Sequence, residues 1–282
     1  MPIHPLAYVD PSAQLGRDVH VGPFAIIEAG AKIGDRCVLE AYSVIKSGTT
    51  LGDDNRIFER ATIGGTPQHL KAPEHIGEVV IGCGNIIRES VTIHRALHQG
   101  QATTIGDHNF IMVGTHIAHD CLIGNHVIFA NNATLGGHVV VDDRAYLSGN
   151  VAIHQFCRIG SFAMVAAQAK TVKDVPPYVT LDGVPGHVVG LNTVGLRRNG
   201  FTTEDISQLK AAYRVIYRSG LTWQQILDRL QAEFATGAAA RFTEFLPQST
   251  RGIPQERRLP PGAAVRITEE APETPVFRAV AG

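Results

Sequence analysis

"IGDHNF IMVGTH IAHDCL IGNHVI FANNAT LGGHVV VDDRAY LSGNVA IHQFCR IGSFAM", residues 105–164, opens every block of six with an aliphatic residue or Phe. The same phase runs from Ile3 to Val165. Of its 28 positions 25 are aliphatic or Phe, and the exceptions are His69, His75 and Gln99. The position four later is mostly small or β-branched (Val19, Ala31, Cys37, Ser43, Cys121, Ala133, Cys157, Ala163), which reads as a second inward column. A period of six suits neither a helix of 3.6 residues per turn nor a long strand of period two. It suits short strands joined by turns and wound into a parallel β-helix. Glycines after the aliphatic position mark the turns.

Working outward, the phase falters at 65–80, "GTPQHLKAPEHIGEVV", and at 95–104, "RALHQGQATT". Both are expected to project from the coil as loops, the usual carriers of function. Residues 1–190 therefore read as one β-helical domain. Beyond "DVPPYV" the hexads stop, and 191–250 reads as a small α-helical domain. Ile206, Leu209, Tyr213, Ile216 and Tyr217 recur at helical spacing, with Gly220 as a stop signal. Thr222 and Gln225 have the spacing of a capping box opening a second helix. Residues 251–282 are rich in proline and charge without periodicity, and read as a mobile tail.

Among 282 residues, 44% are hydrophobic and the formal charge is −1, enough for a core and too balanced for global attraction to nucleic acid or a membrane surface. The start, "MPIHPLAYVD", lacks a basic region followed by an apolar run, and no stretch approaches a membrane span, so a cytoplasmic protein is expected. Cys37, Cys83, Cys121 and Cys157 contain no C-x-x-C pair, which favours reduced thiols. Cys121 follows His119 and Asp120, yet it shares the inward column of Cys37 and Cys157 and reads as core.

The hexads resemble the left-handed β-helix of hexapeptide-repeat acyltransferases, which winds three hexads, about 18 residues, into each coil. The resemblance alone supplies the left hand, because ordinary parallel crossovers are right-handed. In such a coil position n lies over n + 18, about 4.8 Å away. His119 then lies under Gly137 and Gln155, and Asp120 under His138, with His116 half a hexad earlier and His154 beside Gln155. These columns lie outside the inward ones, so surface or cleft placement is expected. His20, His108 and His126 read as isolated turn decoration.

Two chemistries fit the cluster. A neutral imidazole can take a proton from a hydroxyl or amine attacking an activated acyl group, with Asp120 orienting His119 and the Gly137 N–H receiving the oxyanion. Alternatively, His116, His119 and His138 could bind zinc and activate water, as in a zinc hydratase.

The strings "IRESVTIHRA", "HIAHDC", "ANNATLGGHVVVDD", "VAIHQFC", "DVPPYV" and "YRVIYRSG", in this order, resemble the UDP-N-acetylglucosamine acyltransferases that begin lipid A synthesis, over about residues 1–250. The resemblance implies His119 as general base, Asp120 as its partner, the Gly137 amide as oxyanion donor, and no metal. It implies that Lys71, with His69 beside it, His116, His138, His154 and Gln155 bind the sugar nucleotide or position the acyl donor. Asn192 and Arg198 would hold the donor's phosphopantetheine and the nucleotide phosphate. It further implies a homotrimer with sites between adjacent β-helices and an acyl carrier protein as donor. No separate cofactor is implied, because the phosphopantetheine arrives on the carrier. Arg197, Arg198, Lys210, Arg214 and Arg218 could meet that acidic carrier, or form a solvated helix face.

Several positions depart from the commonest family pattern. His69 stands where many members carry Asp, Val184 and Pro185 replace an Asn-His pair, and Val194 and Asn199 replace Glu and Arg. Such changes could favour a 3-amino analogue of the sugar as acceptor. In "FAMVAAQAK", Ala167 with Met164 matches the family's acyl-length ruler. It lies about 2.7 coils past His119, roughly 13 Å along the axis, on the order of ten methylenes. Rival readings are the later N-acyltransferase of the same pathway, disfavoured because no further nucleotide-binding domain is seen before the hexads, a sugar N-acetyltransferase using acetyl-CoA, the zinc hydratase, and a non-catalytic scaffold.

Overall fold

A computed structural model describes residues 3–257. Hexads of the coil contribute strands of two or more residues, which stack into three faces of a prism, a left-handed β-helix, with parallel pairing everywhere except the antiparallel last pair Val179–Asp182 and His187–Leu191. The first face has nine strands, from Tyr8–Val9 through His116–Ile117 to Lys170–Thr171. The second has eight, from Gln14–Leu15 to Arg158–Ile159. The third has ten, from His20–Val21 to His187–Leu191. Coils repeat at 18 residues where nothing is inserted, as in His116 against Thr134 and Thr134 against Ala152. Val79 pairs with Thr49 and Thr103 with Val79, offsets of 30 and 24. The extra 12 and 6 residues are whole hexads, so the phase survives both insertions. The three apolar exceptions, His69, His75 and Gln99, all lie within the inserted loops 66–77 and 95–101.

Inside the prism the first and fifth positions of each hexad form one continuous core, exemplified by Ile27, Cys37, Ile117, Cys121, Phe129 and Leu135. Three asparagines also occupy the fifth position. Asn85 Nδ2 donates to Asn55 Oδ1 at 3.0 Å, Asn109 Nδ2 to Asn85 Oδ1 at 3.0 Å, and Val127 N to Asn109 Oδ1 at 2.7 Å, a ladder that satisfies buried amides from coil to coil.

Each corner is turned by the fourth residue of the hexad in the left-handed region, occupied by non-glycine residues such as Arg36, Asp120 and His138. The hexad glycines serve a different end from the one the turn signal suggests. A Cβ on Gly34 would sit 2.5 Å from the Gly52 carbonyl carbon, so close approach between coils requires them. The non-glycine left-handed residues cost energy. Their backbone N–H groups are bonded to the adjacent coil, as in Arg36 N to Arg17 O at 2.7 Å and His138 N to His119 O at 3.0 Å.

Helices α1 (Thr193–Arg198), α2 (Thr203–Arg218), α3 (Trp223–Glu233) and α4 (Ala240–Phe245) close the far end of the prism. The Thr222–Gln225 capping box is formed at α3. Tyr178, Leu209, Leu230, Phe242 and Phe245 make a second apolar cluster there, and Tyr213 joins the coil core.

Residues 251–257, read from sequence as the start of a mobile tail, are pinned against the last coil. Arg251 Nε donates to Val172 O, Val188 N to Gln255 O and Arg257 N to Val188 O, while Glu256 pairs with Arg218 at 2.6 Å. Composition overlooked them because edge strand His187–Leu191 leaves backbone groups to pair and α2 supplies the counter-charge. The remainder of that expected tail lies outside the described residues. No helix among the described residues is long and apolar enough to cross a membrane.

Candidate active site

At the corner between the first and second faces, His119 Nδ1 meets Asp120 Oδ2 at 2.6 Å. Asp120 takes φ +60°, which turns its side chain back beside that of its sequence neighbour. With Nδ1–H given to the carboxylate, Nε2 carries the lone pair, the tautomer a general base requires. That Nε2 lies over Gly137, where a Cβ would sit 2.7 Å from it. The columns drawn from n + 18 therefore meet in space.

The expected surface or cleft placement fails for the base. His119 is buried, with 7% of its surface exposed, because both inserted loops close over it. From loop 66–77 the His69 ring meets the His119 ring edge-on at 5.9 Å. From loop 95–101 the Leu97 N–H donates to Asp120 Oδ2 at 3.1 Å. The hexad period fixes the columns of the coil but not the loops that fold across them.

Gly137 is buried, and among the described residues its N–H donates to no protein acceptor. At the corner between the second and third faces the third hexad residue gives its N–H to a side chain of the next coil, as in Asp35 N to Asp53 Oδ1 at 2.9 Å and Asn125 N to Asp143 Oδ1 at 2.7 Å. Gly137 has Gln155 in that place. A buried donor left open beside an imidazole is an oxyanion pocket in form.

The neighbouring imidazoles are kept neutral. His138 stands edge-on to His119 at 5.2 Å and stacks on Phe156 at 4.6 Å. Burial lowers its pKa against the opposing pull of Asp120. Burial also lowers His116, whose Nδ1 pairs with Thr92 Oγ1 at 2.8 Å. His94 packs edge-on against His116 at 5.0 Å and is pushed down to about 4, first by burial and then by that neighbour. Lys71 is exposed on loop 66–77, where its N–H donates to His69 Nδ1 at 3.1 Å, and His154 and Gln155 stand exposed on the same corner one coil further.

The set His116, His119 and His138 considered for zinc is not assembled. The group able to hold a cation among the described residues is His119, Asp120 and His138, with one ligand atom from each within 4.8 Å of the others. His116 is drawn away to Thr92, and His119 Nδ1 is occupied by Asp120.

The other sequence-predicted residues are not brought to this corner. Arg198 and Asn192 line a cavity of about 810 Å³ with His108, Phe110, His126, Ile128, Arg144, Tyr146 and Met164, on the third face and the corner between the second and third faces. In a three-sided prism, that face is opposite the His119 corner. Ala167 occupies the corner between the third and first faces, so its separation from His119 is two coils along the axis plus two-thirds of a turn around it. Dividing by 18 measures height and conceals that angle. His108 and His126, read as isolated decoration, stack on each other at 5.2 Å in the cavity wall, while His20 lies in a strand and not at a turn. Sequence reasoning passed over His94 and Arg95. Their one signal is position, at the opening of the second break in the hexads.

A family profile described as bacterial transferase hexapeptide (six repeats) matches residues 12–47 and 102–137, and one described as UDP N-acetylglucosamine O-acyltransferase, domain 2, matches 174–254. The chain is 51% identical over 253 residues to an acyl-(acyl-carrier-protein)–UDP-N-acetylglucosamine O-acyltransferase of Halorhodospira halophila, covering 89% of this chain and 98% of the relative. It is 53% identical to that of Neisseria gonorrhoeae, with the same coverage. Among solved structures it superposes on the Acinetobacter baumannii protein with a TM-score of 0.87 and 41% identity, covering 90% of this chain and 100% of the other. A Francisella novicida UDP-N-acetylglucosamine acyltransferase gives 0.86 and 38%, covering 90% and 94%.

Proposed function

Because the chain belongs to the acyl-(acyl-carrier-protein)–UDP-N-acetylglucosamine O-acyltransferases, we propose that it transfers a 3-hydroxyacyl group from acyl carrier protein to the 3-position of UDP-N-acetylglucosamine, the first step of lipid A biosynthesis. His119 Nε2 takes the proton of the acceptor hydroxyl as its oxygen attacks the thioester carbonyl. The Gly137 N–H receives the resulting oxyanion, and collapse expels the carrier's thiolate, which regains the proton from His119. No acyl-enzyme forms, and no cofactor beyond the carrier's phosphopantetheine is used. The observation that carries this reading is the open, buried Gly137 N–H beside the unencumbered Nε2 of a histidine oriented by Asp120.

His69, Lys71, His116, His138, His154 and Gln155 surround the acceptor sugar in this reading. Asn192 and Arg198 hold phosphates of nucleotide and carrier, and Met164 with Ala167 ends the acyl groove. Since Met164 and Arg198 line the face opposite the His119 corner of one prism, the site is shared between protomers, one protomer's His119 corner facing its neighbour's cavity in the homotrimer that the family resemblance implies. A sugar nucleotide and an acyl carrier thioester are both cytoplasmic, and so is the enzyme. Mass spectrometry of the product from UDP-N-acetylglucosamine and a panel of acyl carrier thioesters tests the reading. A mass increment other than one hydroxyacyl group, or no product from any donor, rejects it. The departures from the family pattern at His69, Val184, Pro185, Val194 and Asn199 make the 3-amino analogue, which gives an amide, the second acceptor to test. Comparing kcat/KM for the two acceptors decides between them.

A further inference from the structure

Adjacent residues His94 and Arg95, at the end of strand Thr92–His94, grip opposite ends of loop 66–77. At the loop's start the Arg95 N–H donates to Gly65 O at 2.9 Å, and the His94 ring packs against Gly65, where a Cβ would lie 3.0 Å from His94 Cδ2. At its end Arg95 Nε donates to Gly77 O at 2.6 Å and its guanidinium also reaches Ile76 O at 3.4 Å. Arg95 makes no ion pair among the described residues, so its charge is directed at backbone carbonyls. The guanidinium lies on Gly48, where a Cβ would be 2.8 Å from Cζ.

The second loop is tied into the same knot. Gly77 N donates to Ala96 O at 2.8 Å, Ala96 N to Glu78 O at 3.1 Å, and the following residue, Leu97, gives its N–H to Asp120. His94 also packs against His116. One dipeptide thus links the stem of the loop carrying His69 and Lys71 to the imidazoles below it.

We infer that His94 and Arg95 are positioning residues for acceptor binding: by clamping both stems of loop 66–77 they set His69 and Lys71 over the His119 corner before the sugar nucleotide arrives. The inference rests on the acyl-transfer reading above for the identity of the acceptor. A loop ordered in advance spares the ligand the cost of ordering it, so the clamp acts on affinity more than on the chemical step.

Arg95→Met keeps the stem and removes the carbonyl bonds. It should raise amide hydrogen exchange across 66–77 with the coil amides unchanged. KM for UDP-N-acetylglucosamine should rise about tenfold, the scale of one lost charge-assisted hydrogen bond, while kcat and the KM of the acyl carrier thioester stay within about twofold. Arg95→Lys should recover part of that KM. Gly65→Ala, which pushes on His94 from the loop side, should reproduce the effect and carries the test if Arg95→Met fails to fold. Unchanged exchange in 66–77, or a fall in kcat at constant KM, overturns the inference. Should the wild type transfer no acyl group, the activity reading fails on that control, and the exchange measurement still decides whether the clamp exists.

Discussion

His119 and Asp120, neighbours in sequence, meet side chain to side chain at 2.6 Å because Asp120 adopts φ +60° at the corner of the coil. In an extended strand the two would point to opposite faces. The corner thus builds a dyad from consecutive residues and leaves Nε2 facing Gly137. His119→Ala should lower kcat by about 10² to 10⁴, the usual weight of a general base, with the melting temperature little changed. Asp120→Asn should cost less, since an amide oxygen can still accept from Nδ1 or from Leu97 N–H. Retention of near-parental kcat by His119→Ala in single-turnover assays refutes the assignment.

Gly137 offers a sharper probe of the oxyanion pocket. Its φ is not in the left-handed region, so alanine meets no backbone strain there, yet a Cβ would stand 2.6 Å from His119 Cε1 and 2.7 Å from Nε2. Gly137→Ala should therefore displace the imidazole and cut turnover by about 10² or more. Unfolding midpoints should change little by comparison. An active Gly137→Ala enzyme means the base lies elsewhere.

The depressed histidines set an acid limb on stability. His94 falls from 6.5 to about 4 on folding, so between those values the unfolded chain binds more protons than the folded one. Stability is full above pH 6.5 and declines as pH drops towards 4, by up to about 3 kcal/mol from this group. His116 and His138 shift in the same direction. Denaturant midpoints at pH 7 and pH 5 should differ less in His94→Phe than in the parent. An equal difference in both proteins assigns the acid sensitivity to other groups.

The coil and its columns were legible from spacing because a hexad repeat is geometry written in sequence. Even the two insertions kept its phase, being 12 and 6 residues long. The dyad and its glycine followed by subtraction. Burial of His119, the grip of Arg95 on Gly77 and the pinning of Glu256 by Arg218 were not legible, since each depends on a loop or terminus crossing the coil at a place no period specifies. The angular position of Ala167 was lost for a different reason: a count of coils has no azimuth.

The proposed acyl groove ends at Met164 and Ala167, which makes these residues the test of donor length. Ala167 is exposed at its corner, so a larger side chain there meets solvent or a neighbouring protomer without disturbing the core. Ala167→Met should move donor preference to shorter chains and Ala167→Gly to longer ones, read as kcat/KM across acyl carrier thioesters. Identical chain-length profiles in both variants remove Ala167 from the groove.

The opposed placement of His119 and Arg198 makes a quantitative prediction about assembly. On one prism the base stands at the corner between the first and second faces, while Arg198 lines the cavity on the third face. A site needing both must draw them from two protomers. His119→Ala and Arg198→Ala enzymes should each be nearly inactive alone. When the two are co-assembled in equal amounts, a site is intact only where an Arg198→Ala protomer, which keeps its histidine, faces a His119→Ala protomer, which keeps its arginine. Random cyclic assembly gives each of those occupancies a chance of one half, so roughly a quarter of parental activity should return. Sites made within single chains recover none, because every chain in the mixture then lacks one of the two groups. A co-assembled sample no more active than its separate components therefore sinks the shared-site arrangement, and with it the trimer as the catalytic unit.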